Sequence, residues 1–146
     1  MLDPNLNKPW WAMRLAYGLV PIVAGLDKFT NLLTDWKQYL SPWVEPLLPM
    51  SATAFMYVVG IIEIVAGIVV LTKFTRIGAY IVMGWLIAIA LNLLTTGHYF
   101  DIAVRDLVMS LGAFTLAKMT EVRERSTVVE RRELGARGFQ PSRVGA

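Results

Sequence analysis

Met56-Tyr57-Val58-Val59-Gly60-Ile61-Ile62-Glu63-Ile64-Val65-Ala66-Gly67-Ile68-Val69-Val70-Leu71 is apolar throughout except for one acid. With its flanks it reaches the roughly 20 residues that a helix needs to cross a bilayer, where an unpaired ionisable group costs a few kcal/mol. At about 100° per residue, Gly60, Glu63 and Gly67 share one stripe, so the acid points where two glycines let another backbone approach. Glu63 is therefore expected to face protein, and the chain to be a membrane bundle built around that contact.

Working outward, the chain has 146 residues, 55% of them hydrophobic, and a mean hydropathy of +0.52. These values lie far from those of an average soluble domain. Four spans are expected, at 10–33, 51–72, 76–96 and 102–119, giving an all-α, integral membrane four-helix bundle over residues 1–119 and a charged cytoplasmic tail over 120–146. The first apolar run follows Pro4 and Pro9 without a small-residue cleavage pattern, so it is read as a retained span. The cysteine count is zero, which excludes disulfides, iron–sulfur clusters and cysteine nucleophiles.

Positive residues near short loops stay on the cytoplasmic side. Lys8, Arg14, Lys73, Arg76, Lys118, Arg123 and Arg125 fall on one side of the expected spans. The loop after the first span and the one holding His98 and Asp101 fall on the other. Both termini, Met1 and Ala146, are accordingly expected in the cytoplasm.

The first helix is expected to begin near Pro9-Trp10-Trp11, a proline at the first turn beside an interfacial aromatic anchor. Arg14, Gly18, Pro21, Gly25 and Lys28 return to within about 40° of one face, a second stripe of small residues with a cation at each end. The segment 35–49 is too short and proline-broken to span; Trp36, Tyr39 and Trp43 suit a short amphipathic turn in the headgroup region. Gly78, Trp85, Asn92 and Thr95 share a face of the third helix, and Asp106, Ser110, Ala113 and Ala117 a face of the fourth. The brief Lys73-Phe74-Thr75 connection makes helices two and three antiparallel neighbours. In the tail, Glu121-Val122-Arg123-Glu124-Arg125 and Glu130-Arg131-Arg132-Glu133 alternate in sign, as an extended helix with spaced ion pairs would. Gly135, Gly138, Pro141 and Gly145 are expected to end that helix, and on composition alone residues 135–146 are expected to be disordered.

Polar residues gather toward the non-cytoplasmic end. Asp27, Lys28, Asn92, His98, Arg105 and Asp106, with Glu63 nearer the midplane, form a candidate pocket; Arg14, Gly18, Gly25, Gly60, Glu63 and Gly67 form the candidate packing set. Arg105 is the expected partner of Glu63, because Arg14 starts its helix near the cytoplasmic face and snorkels toward water. Such pairs either lock helices in register or line an outward-opening pocket for a quinone headgroup, a proton path or a small solute. His98 is the one histidine, so a haem with two histidine ligands is excluded within the chain. The spacing of His98, Asp101 and Asp106 matches no metal signature, and no metal site is assigned. No nucleophile with its base, phosphate loop or nucleic-acid-binding pattern is present.

Arg14-x3-Gly18, Ala24-Gly25-Leu26-Asp27-Lys28-Phe29, Gly60-Ile61-Ile62-Glu63-Ile64-Val65-Ala66-Gly67 and Arg76-Ile77-Gly78-Ala79 together resemble the DoxX-like family of small four-helix bacterial membrane proteins, over most of residues 14–118. The resemblance implies a bundle in the bacterial cytoplasmic (inner) membrane. Some relatives are the membrane subunit of a thiosulfate:quinone oxidoreductase and others accompany redox partners. That activity is not carried over, because the chain has neither cysteines nor a soluble domain for a sulfur substrate.

The reading reached is a subunit not catalytic on its own that packs in a larger respiratory or redox membrane complex. Its partners are then the lipid bilayer and other membrane subunits, with the tail 121–146 as a contact. No cofactor is assigned. The alternative is a quinone-interacting subunit of a membrane oxidoreductase using Glu63, Arg105 and Asp27, with quinone or a bound lipid as ligand. A small-solute transporter is the weaker third reading, since four helices without an inverted repeat offer little machinery for alternating access.

Overall fold

In the computed structural model, residues 4–138 are described, with side chains for residues 5–135. Helix α1 runs Pro4–Thr30, α2 Ala52–Leu71, α3 Thr75–Thr95 and α4 Phe100–Gly138, with one-turn 3-10 helices at Trp36–Tyr39 and Glu45–Leu47 between α1 and α2. No strand occurs among the described residues.

α1 begins six residues before the expected start, with Pro4 in the first helical position, where its missing N–H is no loss. It ends at Asn31, which takes a positive φ of 50° and donates its N–H to Asp27 O at 2.6 Å. Ser51 caps α2 by accepting the Ala54 N–H at 3.2 Å. At the other end of α2, the carbonyls left without intrahelical donors meet Arg14, which donates to Val70, Leu71 and Thr72 oxygens at 3.2, 2.6 and 2.8 Å. Arg14 thus turns inward to cap α2. The α3–α4 turn is short because Gly97 and Tyr99 both adopt positive φ, 73° and 61°; glycine takes that conformation without strain.

The helices pair as α1 on α2 and α3 on α4. In the first pair backbone meets backbone: a Cβ at Gly25 would lie 2.5 Å from Gly60 O, one at Gly60 would lie 2.6 Å from Gly25 O, and one at Gly67 would collide with Gly18 O. Alanines seal the rest of the bundle, with Ala79, Ala90, Ala103, Ala113 and Ala117 fully buried. The Tyr17 hydroxyl crosses from α1 to donate to Met109 O at 2.7 Å, in space that a side chain at position 112 would fill.

Two helices, α2 and α3, are long and apolar enough to cross a membrane, and only 39% and 28% of their apolar windows are buried by protein. A core helix of a soluble domain would be mostly covered. Here Ile61, Val65, Ile68, Ile77, Ile81 and Leu91 lie about half exposed, as lipid-facing side chains do. α1 and α4, also expected to span, carry charges within their apolar stretches and do not meet the same criterion.

α4 corrects one expectation. Gly135 does not end the helix, which continues to Gly138; residues 139–146, including Pro141 and Gly145, lie outside the described residues. The first of the alternating charges pair where α4 leaves the bundle: Glu121 accepts from Lys118 at 3.1 Å and also pairs with Arg125, while Arg76 reaches Glu124 at 3.2 Å. Lys118 and Arg125 draw the Glu121 carboxyl below its ordinary pKa. Their contribution is therefore present above the usual carboxylate range and is lost as pH falls through the lowered value.

Candidate functional site

Lys28, in the last turn of α1, points across the Gly25–Gly60 contact into α2. Its ammonium lies 2.7 Å from Glu63 Oε2, with the two side chains only 5% and 8% exposed. The glycines explain the geometry, because only helices in backbone contact let so long a side chain lie flat between them. The Trp36 ring covers the ammonium, with Nζ 3.7 Å from the ring centroid, and Trp85 Nε1 approaches the second Glu63 oxygen from α3 at 3.4 Å. Thus α1, the loop and α3 all close on the one acid of α2.

This is a correction to the expected partner. Arg105 does not meet Glu63: its side chain is 65% exposed and its Nε lies 3.7 Å from neighbouring Asp106. Arg14 is occupied at the opposite end of α2. Glu63 is buried among protein groups, and the cation that meets it is set by the helix register.

Asp27 is a cap, paired with neither Arg105 nor any other cation among the described residues. Its carboxylate accepts from the Leu32 and Leu33 amides at 3.0–3.1 Å, from the Thr30 hydroxyl at 3.1 Å and from Trp36 Nε1 at 2.8 Å. It therefore aims the indole that covers Lys28. Asn92 serves the same loop from α3, accepting from the Ser41 amide at 3.1 Å and donating to Tyr39 O at 2.7 Å. His98 stands exposed in the α3–α4 turn, apart from this group. Asp106, on α4, is buried, and its carboxylate feels the charge of Glu63. Of the seven expected pocket residues, Lys28, Glu63 and Asp106 share one buried electrostatic neighbourhood, Asp27 and Asn92 support it, and Arg105 and His98 turn outward. Trp36 and Trp85 were not among the expected site residues. Trp36 read as a headgroup anchor, and only its bond to Asp27 reveals the second role.

The DoxX family model matches residues 10–96, more than half the chain. The chain belongs to the DoxX family. No curated protein and no solved structure matches it. Membership, together with the two apolar helices, makes this a small membrane protein. The matched stretch of this DoxX protein holds Lys28, Trp36, Glu63 and Trp85 but stops before α4, so Asp106 and Arg105 lie outside it.

Proposed function

We propose that this DoxX protein is a multi-pass subunit of the bacterial inner membrane that packs in a larger, respiratory or redox assembly and performs no catalysis alone. The observation that carries the reading is the free end of α4. Every described residue from Thr127 to Gly135 is exposed, and Val129 and Leu134 stand 54% and 62% open. Twelve residues at about 1.5 Å each make a projection of roughly 18 Å, and apolar side chains standing open on it are a surface for another protein. A partner subunit covers it in this reading. The Lys28–Glu63 pair then holds α1, α2 and α3 together.

A quinone-interacting subunit is the second reading. Two carboxylates are buried, Glu63 against Lys28 at 2.7 Å and Asp106 with only the exposed Arg105 beside it at 3.7 Å, and buried acids of this kind suit proton exchange with a quinone headgroup. One experiment addresses both readings. Gentle detergent extraction and mass spectrometry are expected to return stoichiometric membrane subunits that are lost when the chain is truncated after Ser126. A protein that extracts alone would overturn the first reading. Stoichiometric quinone in the same extract, absent from Glu63→Gln, would put the second ahead.

The bundle brings the start of α1, the α2–α3 turn and the α4 extension to one end, through Trp10–Thr120 at 2.8 Å and Arg123–Asn7 at 2.8 Å. That end carries Lys8, Arg14, Lys73, Arg76, Lys118, Arg123 and Arg125, and on that count we assign it to the cytoplasm. Because the chain has no native cysteine, single-cysteine labelling is clean. A Lys37→Cys variant should react with an impermeant thiol reagent in intact cells, and Glu133→Cys only after lysis; the opposite pattern would reverse the orientation.

A further inference from the structure

At the end of the bundle remote from Lys28, two guanidinium groups lie against one buried indole. Arg123 Cζ is 4.1 Å and Arg14 Cζ 5.0 Å from the centroid of Trp10, and the two cations repel each other. Beside them opens a cleft of about 420 Å³, within the roughly 300–1,000 Å³ typical of ligand sites. Its lining includes four cations, Arg14, Lys73, Arg123 and Arg131, and one carboxylate, Glu124. That carboxylate is already engaged by Arg76. The α2 carbonyls offset part of the charge on Arg14, but Lys73 and Arg131 form no ion pair among the described residues. Four cations lining one cleft, with one acid already committed, present a site for an anion.

Position selects the kind of anion. The cleft sits where α2 ends and α3 begins, at the end of the two apolar helices, and Trp11, Leu15 and Phe74, next in the chain to its lining residues Trp10, Arg14 and Lys73, are exposed at 42–50%. Aromatic residues at that level mark the membrane–water interface, and basic pockets between helices there take acidic headgroups. We propose that this cleft binds a phosphate-bearing anion, supplied as the headgroup of an anionic phospholipid, with Arg123, Lys73 and Arg131 meeting the phosphate and the acyl chains lying along the apolar flank. The site is separate from the Lys28–Glu63 pair and does not depend on the reading of the protein as a complex subunit.

The full-length protein, reconstituted in nanodiscs of phosphatidylglycerol or of phosphatidylcholine, tests this by lipid retention in native mass spectrometry and by melting temperature. Wild type should retain phosphatidylglycerol preferentially, and less of it as salt rises. Lys73→Gln with Arg131→Gln removes two exposed charges and should weaken retention roughly thirtyfold, whereas Lys37→Gln, at the opposite end, should leave it unchanged. Inorganic phosphate added to phosphatidylcholine discs separates the sources. If it alone raises the melting temperature of wild type but not of the double variant, the site is upheld with free phosphate as its ligand. Equal retention of the two lipids by wild type, or undiminished phosphatidylglycerol retention by a folded double variant, would overturn the proposal. The salt titration uses wild type only and stands even if the double variant does not fold.

Discussion

Glu63→Ala is expected to lower stability by about 3–5 kcal/mol, the usual cost of breaking one partner of a buried ion pair. The Lys28 ammonium would keep the Trp36 ring but lose the acid 2.7 Å away. Glu63→Lys should be worse, since it sets two cations in one apolar contact. Replacing both members, Glu63→Leu with Lys28→Leu, should recover most of the loss, because desolvating two charges consumes much of what their attraction returns. Arg105→Leu should change little, as an exposed side chain 3.7 Å from its acid contributes at most about 1 kcal/mol. Thermal unfolding in detergent of the single and double variants forms the cycle. Should the losses of Glu63→Leu and Lys28→Leu simply add in the double variant, the two residues are not coupled, and Glu63 would be free to serve a ligand or a neighbouring subunit.

The second large effect is at Gly60, where α1 and α2 touch through their backbones. A side chain there must push Gly25 O away from 2.6 Å, and a carbonyl in a helix cannot turn aside as a flexible side chain can. Overpacking typically costs about 1–3 kcal/mol and occasionally more. Gly60→Val should exceed that range, because separating the helices also withdraws Lys28 from Glu63. Gly84→Ala is the contrast: nothing lies within 4 Å of a Cβ there, and alanine is favoured over glycine inside a helix by about 1 kcal/mol. It should be neutral or stabilising. A Gly60→Val protein that melts like wild type would mean that α1 and α2 do not rely on this close approach.

What the amino-acid sequence determined by itself is local. A rotation of about 100° per residue puts Gly60, Glu63 and Gly67 on one stripe and Gly18, Gly25 and Lys28 on another, whatever the rest of the chain does. Hydropathy marked α2 and α3 as apolar helices, the short Lys73-Phe74-Thr75 connection made them neighbours, and the glycine-punctuated motifs pointed to DoxX. Periodicity states which way a side chain faces, but not how far along the axis its partner sits. That translation is set when Gly25 seats on Gly60 and Gly18 on Gly67, and it brings Lys28 to Glu63 while leaving Arg105 outside. Loop contacts were equally hidden. Asp27 looked like a buried charge in need of a cation, yet four donors folding back from residues 30–36 satisfy it, and nothing in their spacing announces that. The α4 extension through Gly135 is a third case: one glycine lowers helix propensity by only about 1 kcal/mol. Faces and helices follow from rotation and hydropathy along one segment. Partners follow from the offset between segments, and only close packing in three dimensions decided that offset.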